Sequence, residues 1–193
     1  MPVFIVLSLA FFIAAGGTEK QKEKAFAWSM ALQNTRNGEL VNFSAPVKSW
    51  NGEKFRLIIN PEADCYCYVI AESADEEIAV LQAGPLQGRE AWFSSEIALS
   101  PPKGSETLFV IASRGEQSSL SRVISAFKSS PGAAPRRALM SEVYRIRSEN
   151  SQFREIPGKP VLIGGVARGT PGRDNAMEFS GMNTYVKTIS LEH

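Results

Sequence analysis

The sequence predicts a mainly β protein in which antiparallel sheets form a sandwich and a two-helix insertion interrupts the strands. Short apolar runs separated by Gly, Pro and Asn turn residues fill most of the chain, and helical periodicity is confined to residues 116–150. A length of 193 residues with 44% hydrophobic and 21% charged residues is typical of one globular domain. We therefore expect a single domain over residues 18–190 with roughly seven to nine strands.

An apolar run from Val3 to Ala15 opens the chain, and small residues follow it up to Gly17. The run has the length of a signal-peptide core and is shorter than the about 18 to 20 residues of a membrane-spanning helix. No Lys or Arg precedes it, which is unusual for a signal peptide. We expect residues 1–17 to direct export, with an uncleaved membrane anchor or a segment packed on the domain as alternatives.

Turn residues and the pattern of apolar and polar side chains predict the first strands. Asn37-Gly38 divides two apolar runs and is the strongest hairpin signal in the chain. Residues 54–59 place Phe55, Leu57 and Ile59 on one face and Lys54 and Arg56 on the other, which predicts a strand that Asn60-Pro61 ends.

The next strand contains both cysteines of the chain, Cys65 and Cys67. Residues two apart share a face of a strand, so the cysteines point with Val69, and the intervening tyrosines point the other way. Because both faces are largely apolar, the pattern predicts a central strand or one covered on both sides, with the cysteines as small, reduced core residues. A redox or ligand role is the alternative, although a disulfide between them has poor geometry.

Two further strands are expected on either side of Gly84-Pro85, and a buried strand over 107–112 after the turn at Pro101-Pro102. The first helix is predicted from the i, i+3, i+4, i+7 spacing of its apolar residues, with serines available to cap its start. The apolar sides of the two helices consist of Leu120, Val123, Ile124 and Phe127, and of Leu139, Met140, Val143 and Tyr144. Further strands are predicted between Lys159 and the C-terminus.

Charge and histidine content exclude several classes of function. Lys plus Arg is 21 and Asp plus Glu is 20, so no overall field attracts nucleic acid. The only histidine, His193, ends the tripeptide Leu191-Glu192-His193, which is typical of a tag scar and is left out of fold predictions. Without a native histidine, Ser-His-Asp and Cys-His catalysis are excluded, and we expect no metal and no cofactor.

Three further patterns have a functional and a structural interpretation. The glycine-rich residues 164–173 occupy the place of a phosphate loop, but their spacing favours a hairpin turn. Asp75-Glu76-Glu77 is a cation site or, as we expect, a solvated turn. The aromatic residues Trp50, Trp92 and Phe93 line a recognition groove or belong to the core.

Residues 131–190 carry nine Lys or Arg and five Asp or Glu, a local net charge of +4. A solvated helix face explains such a bias in the ordinary case. The functional hypothesis is that the second helix contacts a protein partner or a second copy of the chain, because arginine is favoured in interfaces. The predicted contact residues are Arg136, Arg137, Arg145 and Arg147.

Residues 27–113 resemble the bacterial domain-of-unknown-function family numbered 4384. The matching pieces are Gly52 to Leu57, Asp64 to Val69, Ile78 to Leu81, Pro101 to Glu106 and Ala112-Ser113. Glu76-Glu77 replaces a usual turn glycine, and Gln82-Ala83-Gly84 replaces a usual aromatic-Pro pair. The resemblance implies a β-rich domain of exported or surface proteins, treats the cysteine positions as ordinary strand residues and supplies no catalytic residue.

These observations predict a non-catalytic recognition or structural module of the bacterial cell envelope, located in the periplasm or at the cell surface, that binds a protein partner. Contact with a membrane is expected only through an uncleaved segment 1–17. The alternative is a carboxylate-based hydrolase that acts on an envelope glycan. That enzyme requires two Asp or Glu about 5 to 10 Å apart in a cleft.

Overall fold

A computed structural model describes residues 26–150, 177–181 and 183–193 of the chain. The predictions for the apolar segment 1–17, the glycine-rich residues 164–173 and the strand after Lys159 lie outside the described residues. The described elements are β1 (Phe26–Asn34), β2 (Leu40–Val41), β3 (Val47–Lys48), β4 (Lys54–Pro61), β5 (Cys65–Glu72), β6 (Ile78–Leu86), β7 (Trp92–Phe93), β8 (Ile97–Ala98), β9 (Ser105–Ser113), α1 (Ser118–Ser129), α2 (Ala133–Asn150), β10 (Met177–Gly181) and β11 (Thr184–Glu192).

The strands form two sheets, which confirms the predicted mainly β, sandwich-like fold. The first sheet has the order β10-β1-β4-β7, with β2 paired to β1 and β8 paired to β4. The second has the order β3-β11-β9-β5-β6, and all its pairs are antiparallel except β11 with β3. The described residues contain eleven strands instead of seven to nine, because β2, β3, β7 and β8 have two residues each and show no periodicity in sequence.

The main hydrophobic core lies between the two sheets. Trp28, Met30 and Leu32 of β1 and Phe55, Leu57 and Ile59 of β4 enter it from the first sheet, and Cys65, Cys67, Val69, Leu108 and Val110 from the second. These side chains follow the period of two that places alternate residues of a strand on one face. The predicted burial of Phe55, Leu57 and Ile59 on one face is therefore confirmed, and Ile58 on the other face is buried as well, against Ala31.

A second hydrophobic core lies on the opposite face of the five-stranded sheet, beneath the helices. Tyr68, Ile70, Phe109 and Ile111 of the sheet contact Leu120, Ile124, Leu139, Met140, Val143 and Ile146 of α1 and α2. The five-stranded sheet is thus covered on both faces. The predictions of a two-helix insertion and of a β5 strand buried on both sides are confirmed.

The hairpin predicted at Asn37-Gly38 joins β1 to β2, where Asn34 donates to the carbonyl of Glu39 over 2.9 Å. Gly38 adopts φ +76°, the left-handed conformation that glycine accepts without steric cost.

Two predicted strand ends are wrong. β4 continues through Asn60 to Pro61, and Gly84-Pro85 lies inside β6 instead of separating two strands. Pro61 is the last residue of its strand, and β6 is the edge of its sheet. Proline is accepted at both places because Pro61 ends β4 beyond its pairing with β7, and because the missing N–H of an edge strand can face solvent.

Two helix details also differ from prediction. Helix α1 begins after Gln117 without a side-chain hydrogen bond at its cap, although serines follow it. In α2 the residue that completes the buried side is Ile146, whereas Tyr144 is 45% exposed. Ile146 lies three residues after Val143 and seven after Leu139, which keeps it on the same helical stripe.

The C-terminal tripeptide, which the sequence prediction leaves out, packs on the described fold. Leu191 is fully buried in the main core and pairs with both Val47 and Glu106. The backbone groups of His193 and Gly104 exchange two hydrogen bonds of 3.0 Å. Leu191 and Glu192 are thus the last residues of β11, and His193 follows them with its own backbone pair.

Candidate protein-interaction surface

The two helices form an antiparallel pair on the outer side of the five-stranded sheet. Residues 130–132 join them, and such a short connection forces neighbouring helices to run in opposite directions. The hydroxyl of Ser119 donates to the carboxylate of Glu142 across the pair. The apolar sides of both helices pack on the sheet, so their polar sides form the outer surface of the molecule.

Arg145 is paired within the helix. Its guanidinium donates to Glu142 through Nε over 2.9 Å and through Nη2 over 2.7 Å, and Nη1 lies 2.6 Å from Glu149 Oε1. These acids stand three residues before and four residues after it, which is the spacing at which helical side chains meet. The charge of Arg145 is therefore already matched inside the protein.

The same contacts shift two ionisation equilibria. The hydrogen bonds from Arg145, helped by that from Ser119 and by the charge of Arg122, lower the pKa of Glu142 to about 2. Hydrogen bonds to Glu142 and Glu149 raise the pKa of Arg145. Glu142 is only 14% exposed, so this carboxylate links α1 to α2 in a partly dry environment.

Arg136 also has an internal role. It is half-buried, and its Nη1 donates to the backbone carbonyl of Glu76 over 2.9 Å. The bond connects the start of α2 to the turn between β5 and β6. Of the four arginines predicted to contact a partner, Arg137 and Arg147 are thus exposed and without such a role in the described contacts. Arg136 bonds to the β5–β6 turn, and Arg145 is paired within α2.

Tyr144 lies with the two exposed arginines on one stripe of α2. Arg137, Tyr144 and Arg147 are spaced i, i+7 and i+10, so they follow one another along the helix, with the buried Met140 between the first two. The Tyr144 ring stands edge-on to Phe109 with centroids 5.6 Å apart, and its hydroxyl donates to Glu72 over 3.3 Å. Partial burial, followed by the charge of Glu72, raises the pKa of Tyr144. We call these three residues the α2 surface.

The cysteines are buried where the sequence predicts them. Cys65 and Cys67 are free, lie on the same face of β5 and belong to the core between the sheets. Burial, together with the charge of Asp64, raises the pKa of the Cys65 thiol to about 11, and burial raises the pKa of Cys67. Since the thiolate is the reactive form, neither is activated as a nucleophile or metal ligand at neutral pH.

Asp75-Glu76-Glu77 forms the turn between β5 and β6. Glu76 has φ +64°, and Ser73 donates to the carbonyl of Glu77 over 2.9 Å. In the part of the chain that the structure describes, no group of three or more Asp, Glu, His or Cys residues could hold a metal ion.

The aromatic candidates do not form one groove. Trp50 is 61% exposed in the turn before β4, whereas Trp92 and Phe93 pair with Ile59 and Ile58 in the middle of β4. Trp92 is packed against the main core, and Phe93 is 46% exposed.

Three clefts on the described surface have volumes of about 480, 560 and 510 Å³. Each is lined by a single carboxylate, which is Glu116, Glu62 or Glu77. The paired carboxylates that glycoside hydrolysis requires are therefore not brought together in these clefts.

Over residues 26–150, 177–181 and 183–193, no helix is both long enough and apolar enough to cross a membrane. No protein-family model and no curated protein matches this chain. The resemblance to the family numbered 4384 stays a prediction.

Proposed function

We propose that this protein is a non-catalytic recognition module of the bacterial cell envelope that binds a protein partner through the α2 surface. The observation that carries the proposal is that Arg137, Tyr144 and Arg147 are exposed along the border of the buried side of α2, which is itself fixed in a core. Tyrosine and arginine, together with tryptophan, are enriched among the residues that contribute most binding energy in protein interfaces.

The rigid support of the stripe favours this function. Leu139, Val143 and Ile146 of α2 are almost fully buried, and the clamp of Arg145 with Glu142 and Glu149 stiffens the same helix. A partner that binds a preformed surface loses less conformational entropy than one that must order it.

The envelope location rests on sequence. It is supported by the apolar run Val3 to Ala15 and by the resemblance of residues 27–113 to a family of exported bacterial domains. The hydrolase alternative lacks comparable support because each of the three clefts contains one carboxylate.

Chemical cross-linking of the protein to an envelope fraction of its host tests the proposal. The test variant is Arg137→Glu with Arg147→Glu, and the matched control is Arg36→Glu with Lys48→Glu, which changes the net charge equally on exposed residues of the sandwich. Arg145 is left unchanged because its reversal would break the clamp with Glu142 and Glu149.

We expect a specific cross-linked protein that the wild type and the control capture and the test variant does not. Equal capture by both variants would show that the partner binds elsewhere, and the α2 surface would then have no role in recognition.

A further inference from the structure

Positive and negative charges are divided between the two parts of the molecule. Residues 114–150, which contain both helices, carry seven Lys or Arg and three Glu, a net charge of +4. Residues 26–113, which contain nine of the strands, carry six Lys or Arg and eleven Asp or Glu, a net charge of −5. The net charge of the whole chain is therefore near zero, although its helical layer is basic and its sandwich is acidic.

Pairing inside the helical layer leaves part of this positive charge available. Glu142 and Glu149 are both engaged by Arg145, so two of the three acids neutralise a single arginine. The exposed cations of the helices other than Arg145 are Arg122, Lys128, Arg137 and Arg147. Two of them belong to the α2 surface.

We infer that the partner of the α2 surface presents an acidic protein segment, with Asp or Glu carboxylates against Arg137 and Arg147 and an apolar or aromatic group against Tyr144. The inference rests on the function proposed above and adds the chemistry of the partner. The charge of the helical layer is complementary to such a segment, and the acidic sandwich repels it, so the approach is oriented toward the helices.

A protein segment fits these residues better than an anionic membrane surface does. Six of the seven cations in residues 114–150 are arginines, whose planar guanidinium groups bind carboxylates in a bidentate way. An amphipathic helix binds a bilayer by burying its apolar face, and the apolar faces of α1 and α2 are already packed on the five-stranded sheet.

Fluorescence anisotropy with a fluorescein-labelled peptide of alternating Glu and Gly tests the inference, and a peptide of alternating Lys and Gly is the matched control. We expect the wild type to bind the Glu peptide and not the Lys peptide, with an affinity that falls as salt is raised. Arg137→Glu with Arg147→Glu should lower that affinity at least about tenfold. Arg36→Glu with Lys48→Glu should change it less than about twofold, although the net charge is the same.

Three results would overturn the inference. One is equal loss of affinity in the two variants, because binding would then follow net charge and not the α2 surface. Another is binding to phosphatidylglycerol vesicles without binding to the Glu peptide. The third is self-association in sedimentation that Arg137→Glu with Arg147→Glu abolishes, because a second copy would then occupy the surface. A cross-linked partner lost in the test variant, together with no affinity for the Glu peptide, would keep the proposed function and reject only its acidic partner.

Discussion

Replacement of Cys67 tests whether the cysteine strand is purely structural. The thiol is fully buried between the two sheets, and β5 places its residue opposite Ala112 on one side and Gly84 on the other. Cys67→Ala removes one sulfur atom from this core, a loss comparable to one methylene group plus a small cavity, and should cost about 1 to 2 kcal/mol of unfolding free energy.

Cys67→Ser gives the sharper comparison because it keeps the size of the side chain and changes its polarity. The neighbouring side chains in the core are apolar, so the hydroxyl loses its hydrogen bonds to water and the variant should lose about 2 to 3 kcal/mol. The order of stability is therefore wild type, then Ala, then Ser. Urea unfolding with an unchanged m-value measures it.

Thiol labelling supplies an independent measurement on the wild type. Burial raises the pKa values of both thiols, and residues two apart on a strand have Cα atoms about 6.6 Å apart, near the upper limit for a disulfide. Labelling of the native protein should thus be slower than that of the urea-unfolded protein by orders of magnitude. Rapid native labelling, a Cys65–Cys67 disulfide, or a Ser variant at least as stable as the Ala variant would refute this account.

Three further substitutions probe the helical layer and the ends of strands. Glu142→Gln should lower the free energy of unfolding by about 1 to 2 kcal/mol at neutral pH. Because Arg145 lowers the pKa of Glu142 to about 2, the stabilisation by the Glu142 carboxylate is complete above pH 4.5 and is lost as the pH falls toward 2. The acid unfolding curves of wild type and variant should therefore converge. Leu191→Ala should lower the free energy of unfolding, measured in urea, by about 2 to 5 kcal/mol because the side chain is fully buried. A decrease below about 0.5 kcal/mol would mean that residues 191–193 are dispensable to the fold. Gly88→Ala should lower the thermal midpoint because the added Cβ would stand 2.6 Å from the Cα of Ala63, whereas Gly115→Ala meets no atom and serves as control.

Local patterns account for most of the elements that the sequence predicts correctly. The alternation in β4, the two apolar faces of β5 and the spacing of Leu120 and Ile124 in α1 depend on residues close in the chain. They also specify which faces become buried, because one strand with two apolar faces requires a layer on each side. The sandwich and the two-helix insertion follow from these signals, whereas the position of the helices on the five-stranded sheet depends on tertiary packing.

The α2 surface depends on contacts that the spacing of residues does not encode. Arg136 and Arg147 have the same residue type and lie on the same helix, but the first reaches the turn at Glu76, which is 60 positions away in sequence, and the second is exposed. The spacing of residues predicts Tyr144 on the apolar side of α2, whereas in the structure its ring stands edge-on to Phe109 and is 45% exposed.

The sequence by itself determined the fold class, the helical insertion, the burial of Cys65 and Cys67 and the excess of arginine in the second helix, because each follows from composition or from a period of two or 3.6 residues. The tertiary structure alone decided that β6 continues through Gly84-Pro85, that Leu191 completes the core and that Arg145 is paired while Arg137 is exposed. The physical reason is that strand pairing at a sheet edge and solvent exposure of a charged side chain depend on neighbours from distant parts of the chain.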